Sequence, residues 1–213
     1  MGPLIIAGIL IPQGELERLA GLGVRDSKML SPSRRASLYH EIRQIASRYE
    51  YVSIGPKIID ERVRSRRKLR KLNYLEAEAM AEIITKLRPD VAYVDASDVD
   101  ARRYGRDIEA LIPFKLQIIS EHHADARYPV VSAASIMAKV ERDRSISQLK
   151  EKYGDFGSGY ASDPRTLKFL EDWYRRKGMF PEIVRTSWRT LDKIRERVKR
   201  GQIRLQETLE TES

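Results

Sequence analysis

Two aspartates in this sequence follow apolar runs that have the composition of buried strands. Asp95 ends the run VAYVD, and Asp125 stands in the loop EHHADARYP after the run FKLQIIS. Functional groups of open α/β sheets collect at the carboxyl ends of strands. Two carboxylates there could hold a hard divalent cation, and in a basic chain they favour metal-assisted phosphodiester chemistry. Each aspartate could instead cap the turn or helix that follows it.

Other kinds of catalytic site lack a motif in this chain. A two-metal site needs several carboxylates, and the neighbouring Asp98 and Asp100 fit a capping role better. The three histidines, His40, His122 and His123, do not have the HExxH spacing of a zinc site, and there is no Walker, GxGxxG or GxSxG motif. Zero cysteines exclude disulfides, thiolate catalysis and cysteine-ligated zinc.

Three further segments could contact a ligand. The loop GSGYASDP at 157–164 presents Tyr160, which could stack on a base or a sugar or could pack on the core. Lys28 could contact a phosphate or could be a solvated loop lysine. The run PVVSAASIMAK at 129–139 has many small residues, which favour close packing of a helix against a sheet.

The charge balance favours a polyanionic partner. The chain has 40 Lys and Arg against 31 Asp and Glu, a formal net charge of +9. Nucleic acid is the first hypothesis, and the ion-pair-rich surface of a thermophilic protein is the alternative. The segment 57–71 concentrates basic residues, although a solvated helix face would look the same. With no secretory signal and no apolar run of roughly 20 residues, we expect a cytoplasmic protein without a membrane span.

The order of the elements predicts an α/β sheet followed by helices. Strands are predicted at 3–12, 50–55, 91–95 and 114–120, with helices between and after them. Ser31 with Pro32 predicts a helix start, and Asp163 with Pro164 predicts another that Gly178 ends. We expect an α/β body over 1–160 and a C-terminal helical region over 161–213.

In their order along the chain, these segments resemble the ribonuclease HII family, the type 2 ribonucleases H, of archaeal length. The resemblance covers most of the chain. It rests on five segments: GPLIIAG at 2–8, DSKMLSPSRR at 26–35, VDASDVD at 94–100, ADARYPVVSAASIMAKVERD at 124–143 and GSGYASDP at 157–164.

The resemblance implies a ribonuclease H-like mixed sheet flanked by helices, with a C-terminal helical region. It also implies an endonuclease that hydrolyses the RNA strand of RNA/DNA hybrids, including single ribonucleotides in duplex DNA, with Mg²⁺ or Mn²⁺. Asp95 and Asp125 are similar to two of the family's four metal-binding catalytic carboxylates, and Tyr160 is similar to its junction-reading tyrosine. The implied substrate contacts are completed by Lys28, Ser132, Ser135 and Lys139.

The sequence departs from the family pattern at its beginning. The family has a strand with an Asp-Glu pair and a Gly-Arg-Gly element just before the segment that matches GPLIIAG, and this chain begins at Met1. We therefore expect a slot roughly 5 Å wide between the strands near 4–11 and 91–95. A misassigned start, a truncation and an inactive relative are the three explanations. The alternative function is a nucleic-acid-binding module that cannot cut.

The partners implied are the RNA/DNA hybrid and ribonucleotide-containing duplex DNA, bound by a monomer. A sliding-clamp motif is not evident in the tail GQIRLQETLETES, which has no aromatic pair.

Overall fold

The structure is a computed structural model that describes residues 1–24, 30–65 and 72–211, with side chains described as far as residue 200. The described strands are β1 (Leu4–Leu10), β2 (Arg48–Ile54), β3 (Val91–Asp95) and β4 (Gln117–Glu121). The described α-helices are α1 (Leu16–Gly21), α2 (Pro32–Ile45), α3 (Pro56–Arg64), α4 (Leu72–Leu87), α5 (Ala101–Glu109), α6 (Ala124–Arg127), α7 (Pro129–Tyr153), α8 (Pro164–Lys177) and α9 (Arg189–Thr211). A short 3-10 turn precedes α1 at Gln13–Glu15.

Two helix starts that the sequence predicts are confirmed. The Ser31 side chain accepts a hydrogen bond from the backbone N–H of Arg34 at 3.2 Å, and Pro32 is the first residue of α2. At the start of α8, Asp163 accepts a hydrogen bond from the backbone N–H of Arg165 at 2.9 Å. Gly178 ends α8 with a φ of 69°, a conformation that glycine adopts without the steric cost of a Cβ atom.

The described strands form two pairs. β1 and β2 are antiparallel, with Leu4 opposite Ile54, and β3 and β4 are parallel, with Asp95 opposite Glu121. Within the described part of the chain, neither β1 nor β3 pairs with a second strand. This is the arrangement that we expected for a sheet without a strand between β1 and β3.

A cavity of about 610 Å³ lies between elements of these two pairs. Residues of β1 and β3 form part of its wall, and apolar residues of α4 and small residues of α7 form much of the remainder. The predicted slot between the two strands therefore corresponds to an open, largely apolar space.

The described chain divides into two compact units. One, which we call the sheet unit, consists of residues 4–54 and 65–144, and the other, the terminal unit, consists of residues 1–3, 55–64 and 145–213. These units differ from the expected division at residue 160, because residues 145–160 and the helix α3 fall with the C-terminal helices. The division into 1–160 and 161–213 stays a prediction.

The sheet unit has two clusters of buried side chains. One joins α2 and α7, with Leu38, Ile42 and Met137 fully buried. The other joins α4 and α5 to the core face of β3. Gly8 of β1 is packed against α4, where an added Cβ atom would overlap the Ile83 side chain. Only glycine at this position lets β1 approach α4 so closely.

The terminal unit is built around an aromatic and aliphatic cluster. Its buried members are Met1, Ile146, Phe156, Leu170, Ile183, Val184, Leu191, Ile194 and Val198. This cluster gives α8 and the described part of α9 a core of their own. Among the described residues, no helix combines the length and the apolar character that crossing a membrane would require.

Candidate active site

The two predicted carboxylates lie at adjacent strand ends in the sheet unit. Asp95 is the last residue of β3, and its Oδ1 accepts a hydrogen bond from the backbone N–H of Ala124 at 3.0 Å. Asp125 follows Ala124 directly in α6 and is only 7% exposed. Both aspartates line the same cavity. Asp95 therefore bonds to the first residue of α6, which lies beyond β4, and not to the helix α5 that follows it, as the capping alternative would require. This contact joins the end of β3 to the helix that carries Asp125.

The turn that carries Asp125 has a defined backbone conformation. His123, just before α6, has a φ of 57° in the left-handed region, and the chain thereby turns sharply between β4 and α6. The backbone N–H of Ala96 donates to the carbonyl oxygen of Glu121 at 2.9 Å. This main-chain hydrogen bond extends the pairing of β3 and β4 past their ends, and the Asp95 side chain joins the end of β3 to the start of α6.

Ser135 and Lys139 belong to the same region. Ser135 lines the cavity together with Asp95 and Asp125, and the Lys139 ammonium donates to the Ser135 hydroxyl at 3.3 Å. Both residues lie one turn apart on α7 and are half-buried. The structure thus brings together four of the seven predicted site residues, while their roles toward a substrate stay predictions.

Sequence reasoning missed Glu76, which also lines the cavity. Glu76 falls on the same face of α4 as Met80, Ile83 and Leu87, which line the cavity with it. The sequence does contain a signal for Glu76, because its carboxylate stands at helical spacing from three apolar residues. Charged side chains are rare on a helix face that packs against the core, so such a position indicates a functional role.

The other acidic residues near these strand ends have partners of their own. Asp100 caps α5 by accepting the backbone N–H of Arg103 at 3.0 Å, which confirms its predicted capping role. Burial alone would raise the pKa of Asp98, but hydrogen bonds from the Asp100 N–H, Asn73 and Arg103 outweigh it and lower the pKa. Glu121 accepts hydrogen bonds from Arg127 at 2.8 Å and from the Tyr128 hydroxyl at 3.2 Å.

The described side chains do not form a complete metal site. Among them, no group of three or more histidine, aspartate or glutamate residues is placed to hold one ion. Asp95 and Asp125 supply hard oxygen donors of the kind that Mg²⁺ and Mn²⁺ prefer. The donors are therefore suitable in kind and too few in number.

Ser132 has a clear structural partner. It is fully buried, and its hydroxyl donates to the carbonyl oxygen of Val24, which joins α7 to the segment that follows α1. The proposed contact of Ser132 with a substrate stays a prediction. Lys28 lies outside the described residues, as does the part of the basic segment that spans 66–71.

Tyr160 lies in the terminal unit, on the loop before α8. Its side chain is 50% exposed, which disagrees with the alternative that it packs in the core. Gly157 and Gly159, which precede this position, have φ values of 75° and 76°. The loop therefore has the backbone conformation that its glycines predict and presents an aromatic ring to solvent.

Comparison with known proteins gives the family. A sequence model of the family described as Ribonuclease HII matches residues 1–191. A Ribonuclease HII of Pyrococcus abyssi is 44% identical over 207 residues, which cover 96% of this chain and 90% of that protein. The chain therefore belongs to the ribonuclease HII family, whose members are endoribonucleases.

Solved structures support the same assignment. The ribonuclease H2 from Pyrococcus horikoshii OT3 is similar with a TM-score of 0.84 and 46% identity, covering 93% of this chain and 92% of that one. The ribonuclease HII in a PCNA:RNase HII complex from Archaeoglobus fulgidus is similar with a TM-score of 0.82 and 46% identity, covering 92% of this chain and 90% of that one.

These comparisons confirm two predictions from the sequence. The fold is mixed α/β and ribonuclease H-like, and the protein is an endoribonuclease of the type 2 ribonuclease H class. The expectation that the tail has no sliding-clamp motif rests on side chains beyond residue 200, which are not described. It stays a prediction about this chain, while the Archaeoglobus fulgidus relative is found with PCNA.

Proposed function

We propose that this protein cleaves the RNA strand of RNA/DNA hybrids, and also single ribonucleotides within duplex DNA, by hydrolysis that depends on divalent ions. The observation that carries the proposal is the placement of Asp95 and Asp125 on one cavity of a ribonuclease HII fold. The net charge of +9 supports a polyanionic substrate.

The proposed roles of the two aspartates follow from their surroundings. Asp95 uses one oxygen for the Ala124 N–H, and that hydrogen bond holds its carboxylate in a fixed orientation. Asp125 follows Ala124 in α6 and is buried. A bound Mg²⁺ or Mn²⁺ would supply an activated water and stabilise the leaving oxygen. These two side chains alone do not fill the coordination of two such ions.

We further propose that the cavity between β1 and β3 receives an extended strand that supplies the remaining carboxylates. Each of the two strands has one edge that pairs with no described strand, and unpaired backbone groups inside a protein cost about 1–3 kcal/mol each. An inserted strand would pair with both edges at the usual spacing of about 4.8 Å. This arrangement would convert two strand pairs into one mixed sheet.

The lining of the cavity indicates what such a strand would look like. Ile83 and Leu87 of α4 border the cavity, and so do Val131, Ala134 and Ala138 of α7. A strand between these helices would be buried on both faces and should be an almost continuous apolar run. Its polar end should lie beside Asp95 and Asp125. A run that ends in Asp-Glu, followed by Gly-Arg-Gly, meets these requirements.

For substrate recognition we propose the exposed Tyr160 ring and, separately, Ser135 and Lys139 of α7. An exposed aromatic ring can stack on the sugar or base at the junction between a ribonucleotide and DNA. Ser135 and Lys139, which line or adjoin the cavity, would contact the backbone near the cleaved bond, and Lys28 and Ser132 are proposed as further contacts.

The second candidate is a module that binds hybrids or duplexes without cutting them. The observation that favours it is the shortage of carboxylates among the described side chains. Both candidates predict nucleic-acid binding that weakens steeply with salt, because phosphate contacts release counterions.

A paired assay separates the two candidates. The chain as given and a chain extended by the strand described above are each tested for binding to an RNA/DNA hybrid and for its cleavage, with Mg²⁺ or Mn²⁺. Binding by both forms and cleavage by the extended form alone would support the proposed enzyme and the strand slot. Binding without cleavage by either form would favour the binding module, and full activity of the chain as given would refute the need for the strand.

A further inference from the structure

One buried hydroxyl in the terminal unit holds both sides of the loop that carries Tyr160. The Thr166 side chain is fully buried, and its Oγ1 accepts the backbone N–H of Gly159 at 3.0 Å. The same oxygen donates to the carbonyl oxygen of Phe156 at 2.8 Å. The Phe156 carbonyl and the Gly159 N–H, on either side of the first turn of the loop, thus bond to the same oxygen atom.

Other hydrogen bonds hold the loop on either side of this atom. The Asp163 carboxylate accepts the backbone N–H groups of Ser158 at 2.6 Å and of Arg165 at 2.9 Å. Gly159 itself has a φ of 76° and is buried, whereas the next residue, Tyr160, is 50% exposed. The Gly159 carbonyl accepts a hydrogen bond from the Met1 amino group, and the Tyr160 N–H donates to the Ser158 hydroxyl at 3.4 Å.

Thr166 is a rigid anchor for this point. It lies in the first turn of α8, and Phe156 and Leu170 are fully buried members of the same hydrophobic core. A glycine backbone has more accessible conformations than any other residue, so its orientation depends on the hydrogen bonds that it makes. The Thr166 hydroxyl holds the N–H of Gly159 from the interior of the unit, while the Met1 amino group holds its carbonyl.

We infer that Thr166 is a positioning residue for substrate recognition: its hydroxyl holds the N–H of Gly159 and thereby helps to set the direction in which Tyr160 projects. This inference rests on the proposed function, in which Tyr160 contacts the ribonucleotide. Thr166 itself is buried and touches no substrate.

The first test measures the loop without any substrate. Hydrogen exchange of the Gly159 amide, followed by NMR, should be slow in the unmodified chain and faster by about tenfold or more in Thr166→Val, which keeps the shape and loses the hydroxyl. Thr166→Ser, which keeps the hydroxyl, should restore slow exchange. Fast exchange of Gly159 in the unmodified chain, or unchanged exchange in Thr166→Val, would overturn the inference.

The second test measures recognition. The ratio of the Kd for all-DNA duplex to the Kd for the same duplex with one ribonucleotide is obtained by fluorescence anisotropy. Thr166→Val should reduce this ratio by about tenfold, and Thr166→Ser should leave it near its original value. In a Tyr160→Ala background, Thr166→Val should have no further effect on the ratio, because the two residues act as one unit.

The outcomes separate this inference from the proposed function. A chain without preference for the ribonucleotide would refute the proposed role of Tyr160, while exchange at Gly159 would still decide whether Thr166 holds the loop. A preference that survives in Thr166→Val, or a full additional loss in the Tyr160→Ala background, would refute the positioning role alone.

Discussion

Replacement of Asp60 should destabilise the terminal unit more than any other single loss of a carboxylate on α3. Asp60 is 7% exposed, and its carboxylate accepts three hydrogen bonds from the segment before α9. The donors are the Thr186 N–H at 2.8 Å, the Thr186 hydroxyl at 2.7 Å and the Ser187 N–H at 2.9 Å. Asp60→Ala leaves all three donors without this acceptor.

The magnitude follows from those three contacts. A buried donor that loses its partner costs about 1–3 kcal/mol, and water can reach part of the segment once the carboxylate is gone. We therefore expect Asp60→Ala to lower the free energy of unfolding by about 3–5 kcal/mol. Asp60→Asn keeps one acceptor oxygen and should cost about half as much. Glu61→Ala, an exposed neighbour on the same helix, should change stability by less than about 0.5 kcal/mol.

Both tryptophans of the chain report on this unit. Trp173 lies in α8, and Trp188 follows Ser187 directly. Urea unfolding followed by tryptophan fluorescence gives the free energy of each variant from the midpoint and slope. A loss below about 1 kcal/mol for Asp60→Ala would refute the claim that these hydrogen bonds hold α3 to the segment before α9.

The contribution of Asp60 should also depend on pH. Burial alone would raise its pKa, but the hydrogen bonds from Thr186 and Ser187 outweigh burial and hold the pKa below the usual value of 3.8. A carboxyl with a lowered pKa stabilises the folded state above its unfolded pKa. The stability gained should therefore be complete above about pH 5 and lost as the pH falls below 3.8 through the folded pKa. In Asp60→Asn this part of the acid sensitivity should disappear.

Three further predictions test the site and its support. Tyr160→Ala should weaken binding to duplex with one ribonucleotide by about tenfold and leave Mn²⁺ binding by titration calorimetry unchanged; equal loss of both would assign Tyr160 to the core. Gly8→Ala should cost about 1–3 kcal/mol in thermal or urea unfolding, because the added Cβ atom overlaps Ile83, and an unchanged midpoint would contradict this close packing. Hybrid binding should weaken about tenfold or more between 50 and 200 mM salt, and salt-independent binding would mean that the positive charge serves only surface ion pairs.

The sequence predicted the strands and several helix ends because their signals are local. The apolar runs of β1 and β3, the Ser31-Pro32 pair and Gly178 each determine their own element through periodicity or backbone preference. β4 begins at Gln117, three residues later than expected, because an apolar run does not show where backbone pairing begins.

The site could be predicted only in part. Strand-end position indicated Asp95 and Asp125, and the structure brings both to one cavity with Ser135. Glu76 was missed because the helical periodicity of α4 is read from its apolar residues and does not mark a carboxylate that shares their face. Ser132 could not be resolved from the sequence, since its partner, the Val24 carbonyl, is distant in the chain.

The Asp60 and Thr166 contacts could not be predicted from the sequence either, for two different reasons. Asp60 bonds to residues more than a hundred positions away, and only the folded chain brings them together. Thr166 contacts Gly159 and Phe156 nearby, but a threonine in the first turn of a helix is too common to stand out. Sequence patterns predict helices and strands, but the hydrogen-bond partners of a side chain are known only from the folded structure.

The cleavage rate of Asp95→Asn tests the central claim most directly. The measurement uses the chain extended by the apolar strand with Asp-Glu and Gly-Arg-Gly, an RNA/DNA hybrid and Mg²⁺ or Mn²⁺. Asp95→Asn keeps the oxygen that accepts the Ala124 N–H, so the fold should persist while the charge is lost. Asp100→Asn, a helix cap outside the cavity lining, is the matched control. We predict a loss of about a thousandfold or more in rate for Asp95→Asn and near-original activity for Asp100→Asn. Cleavage by Asp95→Asn at the rate of the unmodified extended chain would contradict the assignment of this cavity as the active site.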